Sequence, residues 1–216
     1  MAFLQESYQK LKSELGEVSL VAVSKTKPVE EVLEAYEEGQ IDFGENYVQE
    51  LLTKQEQLTK DIRWHFIGHL QTNKVKFIAP FVYLIHSVDS VKLLQEIEKQ
   101  AAKLNRKIKC LLQIHIAGEE TKFGLDKVEL EQIVASEYPH VEIKGLMGMA
   151  SFTQNQEQVR NEFRQLHLMF ELFRNSHPEA NILSMGMSGD YPIALQEGSN
   201  MIRVGSLIFG ERNKSR

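Results

Sequence analysis

Only one cysteine, Cys110, stands in the sequence, so no intrachain disulfide can form and a reducing compartment is the natural setting. Proline is scarce as well, and no Pro-, Gly- or Ser-rich stretch marks a linker between domains. No apolar run approaches the roughly 20 residues needed to cross a bilayer. The start, Met1-Ala2-Phe3-Leu4-Gln5-Glu6-Ser7-Tyr8, lacks the basic opening and unbroken apolar segment of a secretory signal. Basic residues are in deficit: 25 Lys and Arg against 30 Asp and Glu leave a formal net charge of −5, which argues against a general nucleic-acid binder. No tract repeats, and none is of low complexity. The expectation is a soluble, cytoplasmic, single-domain protein over 1–216, with neither nucleic acid nor membrane as a partner.

What is present is an alternation. Phe3, Leu4, Tyr8, Leu11 and Leu15 recur at helical spacing and predict an N-terminal helix over 1–16. Short apolar, β-branched runs then predict strands at 19–24, 41–45, 63–68, 83–88, 107–116, 141–149, 181–187 and 201–209. Amphipathic segments separate them. Pro28 suits the first turn of one helix and Gly39 its end. The clearest helices are 90–104 and 154–175, the latter with a stripe of Phe163, Leu166, Phe170 and Phe173 that reads as core packing. Every strand but the last is followed by a helix or helical turn, which implies a parallel sheet with helical crossovers. Eight repeats predict an α/β fold, a single-domain (β/α)8 TIM-type barrel over 19–210 with an extra N-terminal helix.

In such barrels function sits at the C-terminal ends of the strands. The first strand ends at Lys25, and an amine beside a buried apolar strand is desolvated, which frees it for Schiff-base chemistry. A lysine there can equally snorkel to solvent or pair with an acid such as Glu45. Lys27, two residues on, would lower the pKa of a neighbouring amine further. After the seventh and eighth strands, Ser188 suits the N-cap of a helix over 191–197, Gly205 admits a ligand close to the backbone, and Ser206 adds an N–H and a hydroxyl. Together these resemble a phosphate cradle, although a capped helix and a strand-end glycine alone would look the same. Asp190 would oppose a phosphate by charge, or steady the helix start. No metal site is expected: His65 and His69 flank a strand end and lose the shared face that an i, i+4 pair has on a helix. Met147, Met149, Met185 and Met187 read as core filling or pocket wall, and Cys110 as structural.

Six segments in order carry a resemblance along nearly the whole chain. They are Ala22-Val23-Ser24-Lys25-Thr26-Lys27-Pro28, Phe43-Gly44-Glu45-Asn46-Tyr47-Val48-Gln49-Glu50, His65-Phe66-Ile67-Gly68-His69-Leu70-Gln71-Thr72-Asn73-Lys74, Gly145-Leu146-Met147-Gly148-Met149, Ser184-Met185-Gly186-Met187-Ser188 and Ile202-Arg203-Val204-Gly205-Ser206-Leu207-Ile208-Phe209-Gly210. With them the sequence resembles the YggS/PROSC family of pyridoxal phosphate (PLP) homeostasis proteins, which is similar to the barrel domain of alanine racemase. The resemblance implies PLP held covalently as a Schiff base on Lys25, phosphate contacts at Ser188, Gly205 and Ser206, and Arg203 at the pyridine nitrogen. It also implies Asn46 and Met147 near the cofactor ring.

A guanidinium there donates hydrogen bonds and accepts none, so it would keep the ring nitrogen unprotonated and the ring a weak electron sink. The sequence as given runs only a little beyond the eighth strand, whereas alanine racemase draws one acid/base group from a second domain. The expectation is therefore a protein that holds PLP and supplies it to apo PLP-dependent enzymes, without robust catalysis of its own. The alternatives are a low-activity PLP-dependent amino-acid racemase with Lys25 as base, and a Schiff-base aldolase on a phosphorylated sugar. A role for Lys27 or Lys122 in release stays open.

Overall fold

Alternation of side chains along each strand gives every strand an inner and an outer face, and both faces are apolar enough to be buried. The computed structural model describes residues 3–118 and 124–211; Lys122 and the tail 213–216 lie outside them. Eight parallel strands close into one barrel in chain order: β1 (Ser19–Val23), β2 (Asp42–Glu45), β3 (Arg63–Phe66), β4 (Leu84–Val88), β5 (Ile108–Gln113), β6 (Val141–Met147), β7 (Ile182–Ser184) and β8 (Met201–Val204). Ring closure is the β1–β8 ladder, from Ser19 beside Met201 to Ala22 beside Val204. Outward residues such as Leu20, Ala22, Ile202 and Val204 join the large core under the helices. Inward residues Val21, Leu84, Leu111, Met147 and Met201 form a second, smaller cluster in the lumen.

The helices α1 (Gln5–Leu15), α2 (Val29–Glu37), α3 (Val48–Gln57), α4 (Val75–Ile78), α5 (Val91–Lys103), α6 (Lys127–Val134), α7 (Gln156–Ser176), α8 (Tyr191–Gln196) and α9 (Ser206–Phe209) supply the outer layer. Helix α5 starts at the Ser90 cap, whose hydroxyl accepts from the Leu93 N–H (3.3 Å). In α7, Phe163, Leu166, Phe170 and Phe173 are all buried, as the stripe predicts. No helix among the described residues is long and apolar enough to cross a membrane.

Three expectations need correction. The apolar run 201–209 is strand only to Val204; Gly205 breaks the extended backbone, and 206–209 coil into α9 so that Ile208 and Phe209 reach the core. There the Phe209 ring lies 5.9 Å from that of Phe3. Leu4 is exposed rather than part of the buried stripe, because it is the N-cap of α1, outside the helical repeat, and Phe3 makes the packing contact. Strands five to seven stop short of their apolar runs, since ladder partners run out: β7 meets β8 only at Ser184 beside Met201.

One residue in β6 admits no side chain. The β5–β6 register shifts between Cys110 and Leu111, and Gly145 takes up the shift at φ +148°, where a Cβ would sit 1.8 Å from the Ile182 carbonyl oxygen. Gly145→Ala should therefore destabilise the barrel by on the order of 3 kcal/mol. A denaturant titration showing a midpoint equal to the parent's would refute this.

Candidate functional site

The C-terminal mouth of the barrel holds a cavity of about 350 Å³, inside the range of small-molecule sites. Its wall includes Lys25, Asn46, Ser188, Arg203, Gly205 and Ser206, brought from the ends of β1, β2, β7 and β8. Met149, Ile67, Val23 and Met187 add apolar surface. The composition is that of a ligand pocket: apolar walls with a few convergent polar groups.

Lys25 is partly buried in the turn that follows β1. The turn closes with the Lys27 N–H donating to the Ser24 carbonyl (3.0 Å). Thr26 stands at φ +64°, a region that a β-branched residue rarely occupies. It is held there by its N–H donating to Glu50 Oε1 (2.6 Å). Beneath the turn, the buried Lys54 ammonium donates to the Ser24 carbonyl, to Glu45 Oε1 and to Glu50 Oε1, each at 2.7 Å. The Ser24 hydroxyl donates to the same Glu45 oxygen (2.6 Å). Burial pushes the Glu45 carboxyl above its usual range, against the pull of Lys54. Both neighbours of Lys25 are thus pinned by one buried ionic cluster, which fixes where its stem leaves the backbone.

Lys27 also lines the cavity, but its amine is engaged. It donates to the Phe209 carbonyl and pairs with Glu31 at 3.6 Å.

The loops that carry Ser188 and Gly205 touch each other. The Gly205 N–H donates to Ser188 Oγ (3.4 Å), and a Cβ on Gly205 would meet the Val23 carbonyl oxygen at 3.0 Å. Ser188 is not the cap of α8. That helix begins after Asp190, whose carboxylate instead accepts from the Met187 N–H (2.6 Å). The expected capping role fails because the helix starts at Tyr191, as its apolar pattern suggests, which makes Asp190 the N-cap position and leaves Ser188, two residues earlier, on the cavity wall. At α9 the first N–H groups have no intrahelical acceptor, so Ser206 offers both a backbone donor and a hydroxyl.

Arg203 is buried, and its Nη1 donates to the Ser184 carbonyl (3.0 Å) and Ser184 Oγ (2.6 Å) while Nη2 donates to the Gly148 carbonyl (3.1 Å). Burial lowers its pKa to about 10, opposed by the charge of Asp190, so it stays a cation at neutral pH. Asn46 has a buried amide oxygen with no hydrogen-bond partner among the described residues. Met147 does not reach the wall. It is wholly buried in the lumen cluster, one layer too deep, and Met149, two residues on and on the same face, lines the cavity instead.

His65 and His69 part company at the strand end that separates them: His65 is buried in the lumen, and His69 is exposed with Nδ1 2.9 Å from Asp89. Burial pushes the Cys110 thiol up, which makes it inert. Sequence reasoning missed Glu50 and Lys54 on α3, and Ser24, Ser184 and His86. An available signal was a charged or hydroxyl residue at an inward or core-facing position of an otherwise apolar element.

The comparisons with known proteins agree with one another. The family model described as alanine racemase, N-terminal domain, matches residues 2–213. A pyridoxal phosphate homeostasis protein of Aquifex aeolicus is 44% identical over 197 residues, covering 89% of this chain and 86% of that one. The solved structure of PipY from Synechococcus elongatus with PLP bound is 36% identical, with a TM-score of 0.87 over 95% of this chain and 99% of that one. An alanine racemase of Corynebacterium glutamicum, 16% identical with a TM-score of 0.77 over 97% of this chain and 61% of its own, shares the fold.

Proposed function

Since the chain belongs to the alanine racemase N-terminal domain family and, within it, to the pyridoxal phosphate homeostasis proteins, we propose that it binds PLP covalently through Lys25 and supplies it to apo PLP-dependent enzymes in the cytoplasm. The observation that carries this reading is the convergence of one lysine, one arginine, Asn46 and a Ser188–Gly205–Ser206 cradle on a single cavity. When bound, PLP supplies an aldehyde that amines attack and a ring that can draw electrons from them.

The residues fit that group. The Lys25 amine stands on the wall for the aldehyde, and its competitor Lys27 is held by Glu31 and Phe209. The Ser188 and Ser206 hydroxyls, with the N–H groups opening α9, suit a dianionic phosphate. Arg203 can only donate, so it suits an unprotonated pyridine nitrogen. Asn46 offers an unused acceptor to a polar ring substituent. An aldolase acting on a phosphorylated sugar would use the same lysine and cradle, but it leaves the buried guanidinium without a role.

The test is binding itself. Protein mixed with PLP should develop the visible absorbance of a lysine-bound cofactor. Ser188→Ala or Ser206→Ala should weaken PLP by about tenfold while leaving pyridoxal, which lacks the phosphate, nearly unchanged. Equal weakening of both ligands would remove these serines from the phosphate site.

A further inference from the structure

The lumen below the cavity is not purely apolar. His65, His86 and Ser184 are wholly buried there, and Arg203 is 4% exposed. They come from β3, β4, β7 and β8 and touch in sequence. Arg203 Nη1 lies 2.6 Å from Ser184 Oγ, Ser184 Oγ 3.3 Å from His86 Nδ1, and His86 Nε2 2.9 Å from His65 Nδ1. His65 Nε2 is 2.8 Å from Asp42 Oδ1, and the other Asp42 oxygen takes Arg63 Nη2 at 2.6 Å.

The chemistry of the two ends gives this chain a direction. A guanidinium has only donors and a carboxylate only acceptors. Arg203 therefore donates to Ser184, and the Ser184 hydroxyl donates to His86 Nδ1. His86 must then carry its proton on Nε2 and donate to His65 Nδ1, which leaves His65 Nε2–H for Asp42. Every donor and acceptor is used once, provided both imidazoles are neutral. Burial pushes both rings below the usual histidine range, and Arg203 adds to the effect at His86. Reversing any link leaves a buried polar group unmet, which costs more than the bond itself contributes.

We propose that His65 and His86 are positioning residues that, through Ser184 and anchored by Asp42, lock the plane of the Arg203 guanidinium at the mouth of the barrel and so aim its donors at the cofactor ring nitrogen. This rests on the reading of the cavity as a PLP site. The Ser184 hydroxyl is the coupling point: it accepts from Arg203 only in the orientation in which its own proton is taken by His86. Without it, Nη1 keeps only the Ser184 carbonyl, and His86 Nδ1 loses its donor.

Two measurements decide it. Long-range ¹H–¹⁵N NMR on the full chain without PLP, at neutral pH, should show both His65 and His86 as neutral Nε2–H tautomers. An Nδ1–H tautomer or a charged ring at either position would overturn the chain. Ser184→Ala should then weaken PLP by about five- to tenfold. The same variant should bind the 1-deaza analogue, which has CH in place of the ring nitrogen, as tightly as the parent does, and Ser184→Thr should restore PLP binding. Equal loss for both ligands, or no loss for PLP, would reduce Ser184 to a packing role and overturn the proposal. If Ser184→Ala does not fold, the tautomer measurement on the parent still decides. Failure of the parent to bind PLP at all would sink the reading of the cavity, and with it the cofactor half of the proposal, independently of the tautomer result.

Discussion

Lys25→Ala protein mixed with PLP should show no visible absorbance from a lysine-bound cofactor, while its far-UV circular dichroism and unfolding midpoint stay close to the parent's. Borohydride treatment of the parent, followed by peptide mapping, should place the reduced label on Lys25. Loss of the label in the variant should be complete, because imine formation needs an amine at that spot. The other lysine of the cavity cannot substitute: Lys27 is committed to the Phe209 carbonyl and to Glu31, which hold its amine in place. The fold should survive because Lys25 is only partly buried. The turn around it is organised from below by Lys54, Glu45 and Glu50 acting on its neighbours Ser24 and Thr26. Lys27→Ala should accordingly keep the label on Lys25. A label found mainly on Lys27 would overturn the assignment.

That supporting cluster shows where reading the sequence stops. Strand and helix periods are local, so all eight strands, the helix carrying Phe163 to Phe173 and the placement of Lys25, Asn46, Ser188, Arg203, Gly205 and Ser206 at strand ends were legible from spacing and motif. Depth along a strand was not. Met147 and Met149 share a face and differ by one layer, and only the barrel's closure says which one reaches the cavity. Strand ends were misjudged where an apolar run serves two elements, as in 201–209, because periodicity cannot tell a strand from a buried helical turn. The left-handed Thr26 was hidden for a different reason. Nothing in Ser24-Lys25-Thr26 announces it, and the conformation persists because Glu50, from the next helix but one, accepts the Thr26 N–H. The lumen chain is half visible: the spacing of His65 and His69 raises only the question of metal binding, while His86 and Ser184, the partners of His65, lie 21 and 119 residues away from it in sequence. Contacts of that span belong to the fold and not to any window of the chain.

PLP-loaded protein mixed with L-alanine should form little D-alanine, yet restore activity to an apo PLP-dependent enzyme incubated with it. Racemisation needs electrons drawn into the ring as the α-proton leaves, and a protonated ring nitrogen is what makes that withdrawal strong. Arg203 offers the nitrogen donors only, and at a pKa of about 10 it remains a cation that cannot accept the proton back. Racemisation also benefits from an acid/base group on each face of the ring. Among the described residues lining the cavity, the titratable side chains are Lys25, Lys27 and Arg203. Of these, Lys25 is the amine proposed to hold PLP, and so the group suited to move a proton there. A positioned acid or base typically contributes about 10²–10⁴-fold, so one face without its partner is a severe handicap. Delivery would ask less of these residues: Lys25 would hold PLP reversibly and Ser188 and Ser206 would hold its phosphate by hydrogen bonds, with no proton to be moved on either face of the ring. D-alanine formation at rates of ordinary enzymes, roughly 1–10³ s⁻¹, would overturn the carrier reading and favour the racemase.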